Sequence, residues 1–358
     1  MSLVMHLDLA AWRAHLDATA DAVGGLVPVA KGNGYGYGLP RLARETRRLR
    51  DRSSAGGGHG VDTLAVGTAD EVALVRAGLD DQPGWDGDIV VLTPWSPHDP
   101  VATALLTDPR VISTVGRLDD LRHLDAMHPG ARVLVEVLTS MRRHGLPRRD
   151  LARVGEVNGS LTLEGWTIHL PMRGNTTAEA RQLARACTAS VAMPLWLSHL
   201  DVEHFRLLSS EVNVETRLRL GTALWLGAPA SRRITARVLD MHPVSRGDRI
   251  GYWQRPAWAD GWVVVVSGGT AEGVAMAAPT PGSSMGQRAR ALVTGSMDAA
   301  GLALSPYTLD GRKRFFIEPP HMQSSLVFLP GAGSVAIGDE VTVEVRLTTA
   351  TVDRVLES

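Results

Sequence analysis

Between about Leu7 and Gly227, short apolar runs alternate with longer amphipathic stretches, and this alternation constrains the fold more than any other feature. Most of the runs are apolar throughout, as expected of strands that are buried on both faces. They are Val27–Ala30, Thr63–Val66, Asp88–Leu92, Val111–Val115, Arg132–Leu138, Leu163–His169 and Pro194–Ser198. Apolar residues three and four apart predict helices between them at Leu39–Arg50, Ala69–Ala77, Asp119–Met127, Arg149–Val157 and Thr177–Ala189. Repeated strand–helix units predict a parallel sheet, and about eight of them predict a closed (β/α)8 barrel.

After Gly227 the pattern changes to short strand-like runs separated by turn signals such as Asp310-Gly311. The runs are Arg233–Leu239, Trp262–Val266, Gly273–Ala278, Arg288–Thr294, Arg314–Ile317, Ser325–Leu329 and Glu340–Leu347. This spacing is typical of an all-β domain. The sequence therefore predicts a TIM-like (β/α)8 barrel domain over residues 1–228, followed by a β-rich C-terminal domain over residues 229–358.

Composition excludes several classes of protein. With 37 Lys and Arg against 38 Asp and Glu in 358 residues, the chain lacks the basic surface that nucleic-acid backbones require. No run approaches the roughly 20 apolar residues of a membrane span. Charged residues at Asp8, Arg13 and Asp17 interrupt any signal-peptide core. We expect a cytoplasmic protein that acts on a small molecule, with its lone cysteine, Cys187, buried as a small hydrophobe.

The most informative segment is the glycine-rich stretch from Lys31 to Gly38, which follows the first apolar strand. A lysine at the C-terminal end of a barrel strand points to the end where barrel enzymes place their chemistry. If it is desolvated, its pKa falls and the amine becomes nucleophilic. A surface lysine at a strand end is an equally good interpretation of this segment alone. The glycine spacing does not match either nucleotide-binding loop.

The segment Lys31-Gly32-Asn33-Gly34-Tyr35-Gly36-Tyr37-Gly38 resembles the lysine motif, KAxAYGHG, of alanine racemases that depend on pyridoxal 5'-phosphate (PLP). Further segments resemble that family's motifs in the same order along the chain. They are Ala65–Glu71, the strand Asp88–Leu92, Arg217–Gly227 (RxGIxxYG), Gly247–Tyr252 (GdxVsYG), and the spacing of eleven residues from Gly311 to Met322 (DG…MDQ). The chain is identified as a divergent member of the alanine racemase family.

The resemblance implies a PLP-dependent amino acid racemase that works as a head-to-tail homodimer. Lys31 would hold PLP as an imine and exchange a proton on one face of the substrate. Tyr252 would do the same on the other face, reaching the site from the partner subunit. Racemisation needs two such groups because the proton leaves one face of the α-carbon and returns to the other.

The resemblance also implies the residues that hold the cofactor. Arg219 would donate to the pyridine nitrogen, and its permanent charge would keep that nitrogen unprotonated. The phosphate would be bound by Tyr35, Ser198 and the backbone N–H groups of Gly221 and Thr222. His169 would orient its neighbours in the site, or be an ordinary buried histidine with satisfied nitrogens.

Arg143 matches the arginine that binds the substrate carboxylate, together with the backbone N–H of Met322. The family often supports this arginine with a carbamylated lysine seven residues earlier, where this chain has Glu136. A carboxylate is also a planar anion, so we expect Glu136 to support Arg143 directly. Two motifs differ from the family's: GYADG is Gly268-Gly269-Thr270-Ala271-Glu272-Gly273, and MDQ is Met322-Gln323-Ser324. Both differences concern substrate selection, so alanine is not predicted as the substrate.

Three other functions fit the sequence less well. Gly282–Gly286 fits the GxSxG motif of serine hydrolases, but prolines occupy the place of the required strand. His199 and His204 lie five residues apart, which does not suit two metal ligands on one helical face. Related PLP-dependent D-threonine aldolases and D-serine dehydratases carry a His-x-Cys metal pair. His321 has no such cysteine, which argues against these enzymes. A PLP-binding protein without racemase activity, regulatory or cofactor-handling, remains the alternative, together with a D-amino acid lyase.

Overall fold

The computed structural model describes residues 3–56, 60–157, 159–275 and 303–358, and these form two compact units. One unit comprises Arg13–Gly34 and Gly38–Gly227. The other comprises the chain up to Trp12, the short segment Tyr35–Tyr37, and the described residues from Ala228 onward. Each unit is built on its own main sheet.

The chain begins with strand β1 (Val4–Leu7) and helix α1 (Leu9–Ala22). The parallel strands that follow are β2 (Leu26–Pro28), β3 (Thr63–Val66), β4 (Asp88–Val91), β5 (Val111–Val115), β6 (Arg132–Val137), β7 (Thr162–His169), β8 (Leu195–Ser198) and β9 (Thr216–Leu220). The helices among them are α2 (Leu39–Gly56), α3 (Glu71–Arg76), α4 (Pro100–Ala104), α5 (Leu118–Met127), α6 (Val154–Val157), α7 (Thr176–Ser190), α8 (Val202–Glu211) and α9 (Thr222–Leu226).

Strands β2 to β9 form a parallel sheet in the order β2-β9-β8-β7-β6-β5-β4-β3. A parallel bridge between Val29 and Ala65 joins the two ends of this order, and the Ala30 N–H donates to the Ala65 carbonyl at 2.8 Å. Val29 and Ala65 belong to one buried apolar cluster, to which several barrel strands contribute. The predicted (β/α)8 barrel is confirmed.

Local differences from the predicted elements have identifiable causes. The eighth barrel strand, β9, is absent from the predicted strands because Arg217 and Arg219 interrupt its apolar character. Helix α2 continues six residues past the predicted end at Arg50. The predicted helix Arg149–Val157 is mostly a 3-10 helix over Arg148–Arg153, with one α-helical turn after it.

The second unit contains strands β10 (Arg232–Val244), β11 (Arg249–Ile250), β12 (Arg255–Pro256), β13 (Gly261–Ser267), β14 (Leu304–Leu309), β15 (Arg312–Phe315), β16 (Ser324–Pro330), β17 (Glu340–Val343) and β18 (Arg354–Glu357). Its main sheet runs β15-β14-β17-β10-β1-β18, with β13 paired to β10 and β16 paired to β13. The N-terminal strand β1 therefore lies between β10 and β18. The predicted β-rich character of the C-terminal part is confirmed.

Some predictions after Gly227 differ or lie outside the described residues. Gly273, Val274 and Ala275 form a turn, so the predicted strand Gly273–Ala278 is wrong where it is described. The predicted strand Arg288–Thr294 and the motif at Gly282–Gly286 lie outside the described residues. Asp310 and Gly311 have φ of 49° and 70° and connect β14 to β15, as the turn signal predicts.

A small hairpin in the second unit positions residues of the candidate site. Strands β11 and β12 pair antiparallel and are joined by Gly251–Gln254. Ile250, just before this turn, packs in one buried cluster with Ile317 and Phe328. The hairpin therefore shares a core with the segment that leads from β15 to β16.

Three further features bear on function. Cys187 is fully buried, which confirms its structural role, and burial raises the pKa of its thiol to about 12. Within the described ranges, no helix has the length and apolar character needed to cross a membrane. The same residues contain no group of three or more His, Cys, Asp or Glu side chains that could hold a metal ion.

Candidate active site

Lys31 lies at the C-terminal end of β2, and two neighbouring loops are tied together around it. The Glu71 carboxylate, in the first turn of α3, accepts the Gly32 N–H at 2.7 Å and the Gly67 N–H at 2.6 Å. A Cβ atom on Gly67 would lie 3.1 Å from Lys31 Cβ, so a glycine permits this close approach. Glu71 lies in a segment that resembles the family, yet its bracing role has no signal in the sequence because it depends on two loops meeting.

Desolvation and nearby positive charges disfavour the protonated form of Lys31. Partial burial desolvates the Lys31 amine and lowers its pKa. The positive charges of Arg143 and Arg219 lower this pKa further, whereas the negative charge of Glu71 raises it. The side chain is nevertheless accessible to solvent. A lysine with a lowered pKa carries more free amine at neutral pH, which is the nucleophilic form.

Two buried charged side chains lie on described barrel strands, Arg219 on β9 and Glu136 on β6. They are 6% and 4% exposed. Burial lowers the pKa of Arg219 to about 10, so it stays charged at neutral pH. Burial raises the pKa of Glu136, while Arg219 and Arg143 oppose the rise. The Nε of Arg219 and the Oε2 of Glu136 have no hydrogen-bond partner among the described residues.

Arg143 follows strand β6, lies close to Glu136 and is the more exposed of the two side chains. Its Nη2 atom is 3.9 Å from Glu136 Oε1, and its side chain is 47% exposed while that of Glu136 is 5% exposed. The structure thus brings these two predicted residues together, with the guanidinium accessible from solvent. A pocket of about 390 Å³ opens beside Arg143 and is also lined by Trp95, Arg117 and Leu138.

His169 and Ser198 end the adjacent strands β7 and β8, where they are register partners. His169 Nδ1 lies 2.9 Å from Ser198 Oγ. Burial, reinforced by the charge of Arg219, lowers the pKa of His169 to about 3, so the imidazole is neutral at physiological pH.

His199 is a neighbour of this pair that the sequence pointed to only as half of a rejected metal pair. Its ring centroid is 4.7 Å from that of His169, and its Nδ1 is 2.8 Å from the Leu170 carbonyl oxygen. The backbone φ of His199 is 58°, a left-handed conformation that is uncommon outside glycine. Burial lowers the pKa of this imidazole as well. Its position directly after Ser198 is a sequence signal that indicates its place beside this pair.

Gly221 and Thr222 form the start of the short helix α9, directly after β9. The N–H groups in the first turn of any helix lack acceptors within that helix. Tyr35 lies in the 3-10 turn Gly34–Gly36, where it is buried with a φ of 55°. By its contacts Tyr35 belongs to the unit that contains the β-rich sheet.

Tyr252 and Met322 both belong to the β-rich unit and are strongly exposed, at 84% and 72%. Tyr252 lies at the tip of the β11–β12 hairpin, and its ring centroid is 4.7 Å from that of His321. The Met322 carbonyl accepts the Ala271 N–H at 2.9 Å. The two segments that differ from the family's motifs are therefore in direct contact with each other.

The predicted site residues thus fall into two groups. Lys31, Glu136, Arg143, His169, Ser198, Arg219, Gly221 and Thr222 belong to the barrel unit, whereas Tyr35, Tyr252 and Met322 belong to the β-rich unit. Each of these barrel residues, Lys31 included, lies near or beyond the C-terminal end of a strand. This is the edge where barrel enzymes place their active sites.

Comparisons with known proteins agree on the family. The sequence profile of "Alanine racemase, N-terminal domain" matches residues 7–229. The fold is similar to alanine racemase of Clostridium difficile 630 (TM-score 0.70, 15% identity, 100% of this chain and 96% of that one). It is also similar to the biosynthetic alanine racemase of Pseudomonas aeruginosa (0.67, 18%, 100% and 99%) and to the Bartonella henselae enzyme, a structure with covalently bound pyridoxal phosphate (0.69, 16%, 100% and 100%).

No curated protein sequence matches the chain significantly. At these low sequence identities, the structural similarity shows the fold alone. The family is shown by the sequence profile, which covers more than half of the chain. The chain belongs to the alanine racemase N-terminal domain family.

Proposed function

We propose that this protein is a PLP-dependent amino acid racemase that acts as a head-to-tail homodimer. The observation that carries the proposal is the position of Lys31, just beyond the end of barrel strand β2, where partial desolvation and the positive charges of Arg143 and buried Arg219 lower its pKa. A surface lysine at a strand end would lack the two nearby cations.

The barrel residues fit PLP in their donor chemistry. The Arg219 Nε is buried and unpaired among the described residues, so it can donate to an acceptor such as a pyridine nitrogen. The N–H groups of Gly221 and Thr222, with the hydroxyl groups of Ser198 and Tyr35, would bind the phosphate. When bound, PLP supplies the electron sink for the electron pair left as a proton leaves the substrate α-carbon.

The remaining residues bind the substrate and move its proton. Arg143 would hold the substrate carboxylate through its guanidinium, with Glu136 fixing the orientation of that guanidinium. The backbone N–H of Met322 would donate to the same carboxylate. Lys31 Nζ would carry the α-proton on one face, and the Tyr252 hydroxyl of the partner subunit would carry it on the other.

The exposure of three large side chains in the β-rich unit supports the proposed homodimer. Tyr252, Trp253 and Met322 are 84%, 72% and 72% exposed, which is unusual for large apolar side chains. A head-to-tail partner would cover these side chains, and Tyr252 would enter the active site of that partner. In such a dimer every site combines Lys31 of one chain with Tyr252 of the other.

The function is tested by following α-proton exchange of each proteinogenic amino acid in deuterated water, for both enantiomers. A racemase incorporates deuterium and produces the opposite enantiomer, and Lys31→Ala abolishes both this reaction and the visible absorption band of the lysine–PLP conjugate. A band without any α-proton exchange would replace the racemase by a PLP-binding regulatory or cofactor-handling protein. Breakdown of the amino acid into smaller products would identify a D-amino acid lyase.

The shared site is tested by mixing two inactive variants, Lys31→Ala and Tyr252→Phe. In a mixed head-to-tail dimer one of the two sites regains both groups, so random exchange of subunits restores about a quarter of the native activity. If each site used Lys31 and Tyr252 of the same chain, mixing would restore nothing. Sedimentation of both variants as dimers is the control.

A further inference from the structure

The hairpin tip that carries Tyr252 rests on a buried carboxylate, that of Glu318. The Glu318 side chain is fully buried, and a buried carboxylate is costly unless it is hydrogen-bonded. Its Oε1 atom is 2.6 Å from His321 Nε2, and its Oε2 atom accepts the Trp253 N–H at 3.3 Å. The same carboxylate therefore joins the hairpin tip to the loop that precedes β16.

Gly251 shows how closely the hairpin approaches Glu318. A Cβ atom at position 251 would lie 2.1 Å from the Glu318 carboxylate, and the φ of Gly251 is +73°. Only glycine fits both conditions. Ile250 and Ile317, the residues just before Gly251 and Glu318, pack in one buried cluster, so the core below holds the two segments together.

His321 connects the buried carboxylate to the tyrosine. Because a carboxylate only accepts, His321 Nε2 carries the hydrogen in this contact. The His321 ring also contacts the ring of Tyr252: the two ring centroids are 4.7 Å apart and the ring planes are inclined at 44°. This distance lies within the range of attractive aromatic pairs. Glu318 thus fixes His321, and His321 limits where the exposed Tyr252 ring can lie.

We propose that Glu318 and His321 are positioning residues that hold the Tyr252 hydroxyl ready for proton transfer. The inference rests on the proposed function. It also gives a physical account of the altered MDQ motif, because a histidine before Met322, anchored by Glu318, supplies order that the missing aspartate does not. An exposed tyrosine without such support would spend much of its time in unproductive rotamers.

The first test uses the protein without substrate, so that it does not depend on activity. The chain has only 4 tyrosines, which makes ring-selective carbon-13 labelling practicable, and Tyr252→Phe identifies the Tyr252 signal. Relaxation measurements on the wild type, His321→Ala and Glu318→Gln report the order of the Tyr252 ring. We expect a clear fall in the order parameter in both variants. His242→Ala is the matched control, an exposed histidine that also faces a carboxylate, that of Asp240.

The second test separates racemisation from proton exchange on the Lys31 face. With a mispositioned Tyr252, the enantiomer whose α-proton faces Lys31 still exchanges with retention, while racemisation falls roughly 10- to 100-fold. A general loss of structure would lower both rates together. His321→Ala is the safer variant because His321 is partly exposed, whereas Glu318→Gln changes a buried group.

The possible results are distinct. Unchanged Tyr252 ring order and an unchanged ratio of racemisation to exchange in His321→Ala would overturn this inference alone. If Tyr252→Phe itself racemised at the wild-type rate, the proposed two-group mechanism would fail first. A fall in ring order with a selective loss of racemisation supports both.

Discussion

The Nδ1 atom of His169 lies 2.9 Å from the Oγ atom of Ser198, at the ends of two adjacent parallel strands. Because the imidazole is neutral, only one of its nitrogens carries a hydrogen. If Nδ1 is the donor, the Ser198 hydroxyl remains free to donate to a phosphate oxygen. The proposed phosphate site therefore requires His169 to carry its hydrogen on Nδ1.

The low pKa of His169 predicts an acid-sensitive fold. The folded pKa of about 3 lies below the ordinary value of 6.5, so the unfolded chain binds this proton more readily. The associated stability is complete above pH 6.5 and is lost as the pH falls from 6.5 towards 3. In His169→Gln, the free energy of unfolding should fall less steeply over this range, by at most about 1.4 kcal/mol per pH unit.

Urea unfolding at a series of pH values measures this slope. His242→Gln, on the exposed side of β10, is the control and should keep the wild-type slope. Equal slopes in His169→Gln and the wild type would show that His169 is already protonated in the folded protein near pH 6.

Glu136→Gln should raise the Michaelis constant roughly tenfold at neutral pH, since the arginine that binds the substrate carboxylate loses its anionic support. Burial raises the pKa of Glu136, so its carboxylate should take up a proton at a higher pH than an exposed glutamate does. The wild-type Michaelis constant should then rise as the pH falls, whereas the variant should lack this rise. Steady-state kinetics between pH 5 and 8 compare the two. A Michaelis constant unchanged by the substitution would refute the role of Glu136.

The sequence predicts features that depend on local pattern, and it fails where contact is made across the chain. Apolar runs identify seven barrel strands. Strand β9 lacks such a run because it contains two arginines, Arg217, which binds Asp62, and buried Arg219. Only the family motif indicates the role of Arg219. The place of β1 beside β10 depends on pairing residues more than 200 positions apart, such as Val4 with Thr235.

Supporting residues are the least predictable part of the candidate site. Glu71 and Glu318 are ordinary acidic residues in sequence, and they acquire a role only because backbone N–H groups from another loop meet their carboxylates. The family motifs identify groups proposed to touch cofactor and substrate. They carry no information on the side chains that hold those groups in this chain.

Arg143→Met should slow the attachment of PLP to Lys31 at neutral pH. The positive charge of Arg143 lowers the pKa of Lys31, so its removal should raise that pKa and reduce the fraction of free amine. Stopped-flow absorbance of the apoprotein mixed with PLP measures the attachment rate against pH. The inflection should move to higher pH in the variant. Arg142→Met, which removes the adjacent charge, should leave the profile unchanged, and a matching shift in both variants would mean that only net charge matters.

Gly251→Ala should abolish racemisation while leaving PLP attachment to Lys31 intact. The added Cβ atom would overlap the Glu318 carboxylate and distort the hairpin that presents Tyr252. Gly247→Ala is a matched control, because Gly247 also has a positive φ, of 96°, but has open space where the Cβ would lie. This control should lose about 1 kcal/mol of stability from backbone strain and keep its racemase activity. The lysine–PLP absorption band and the racemisation rate, measured on both variants, separate the two effects, since equal losses of racemisation would attribute the effect to the left-handed backbone rather than to the contact with Glu318.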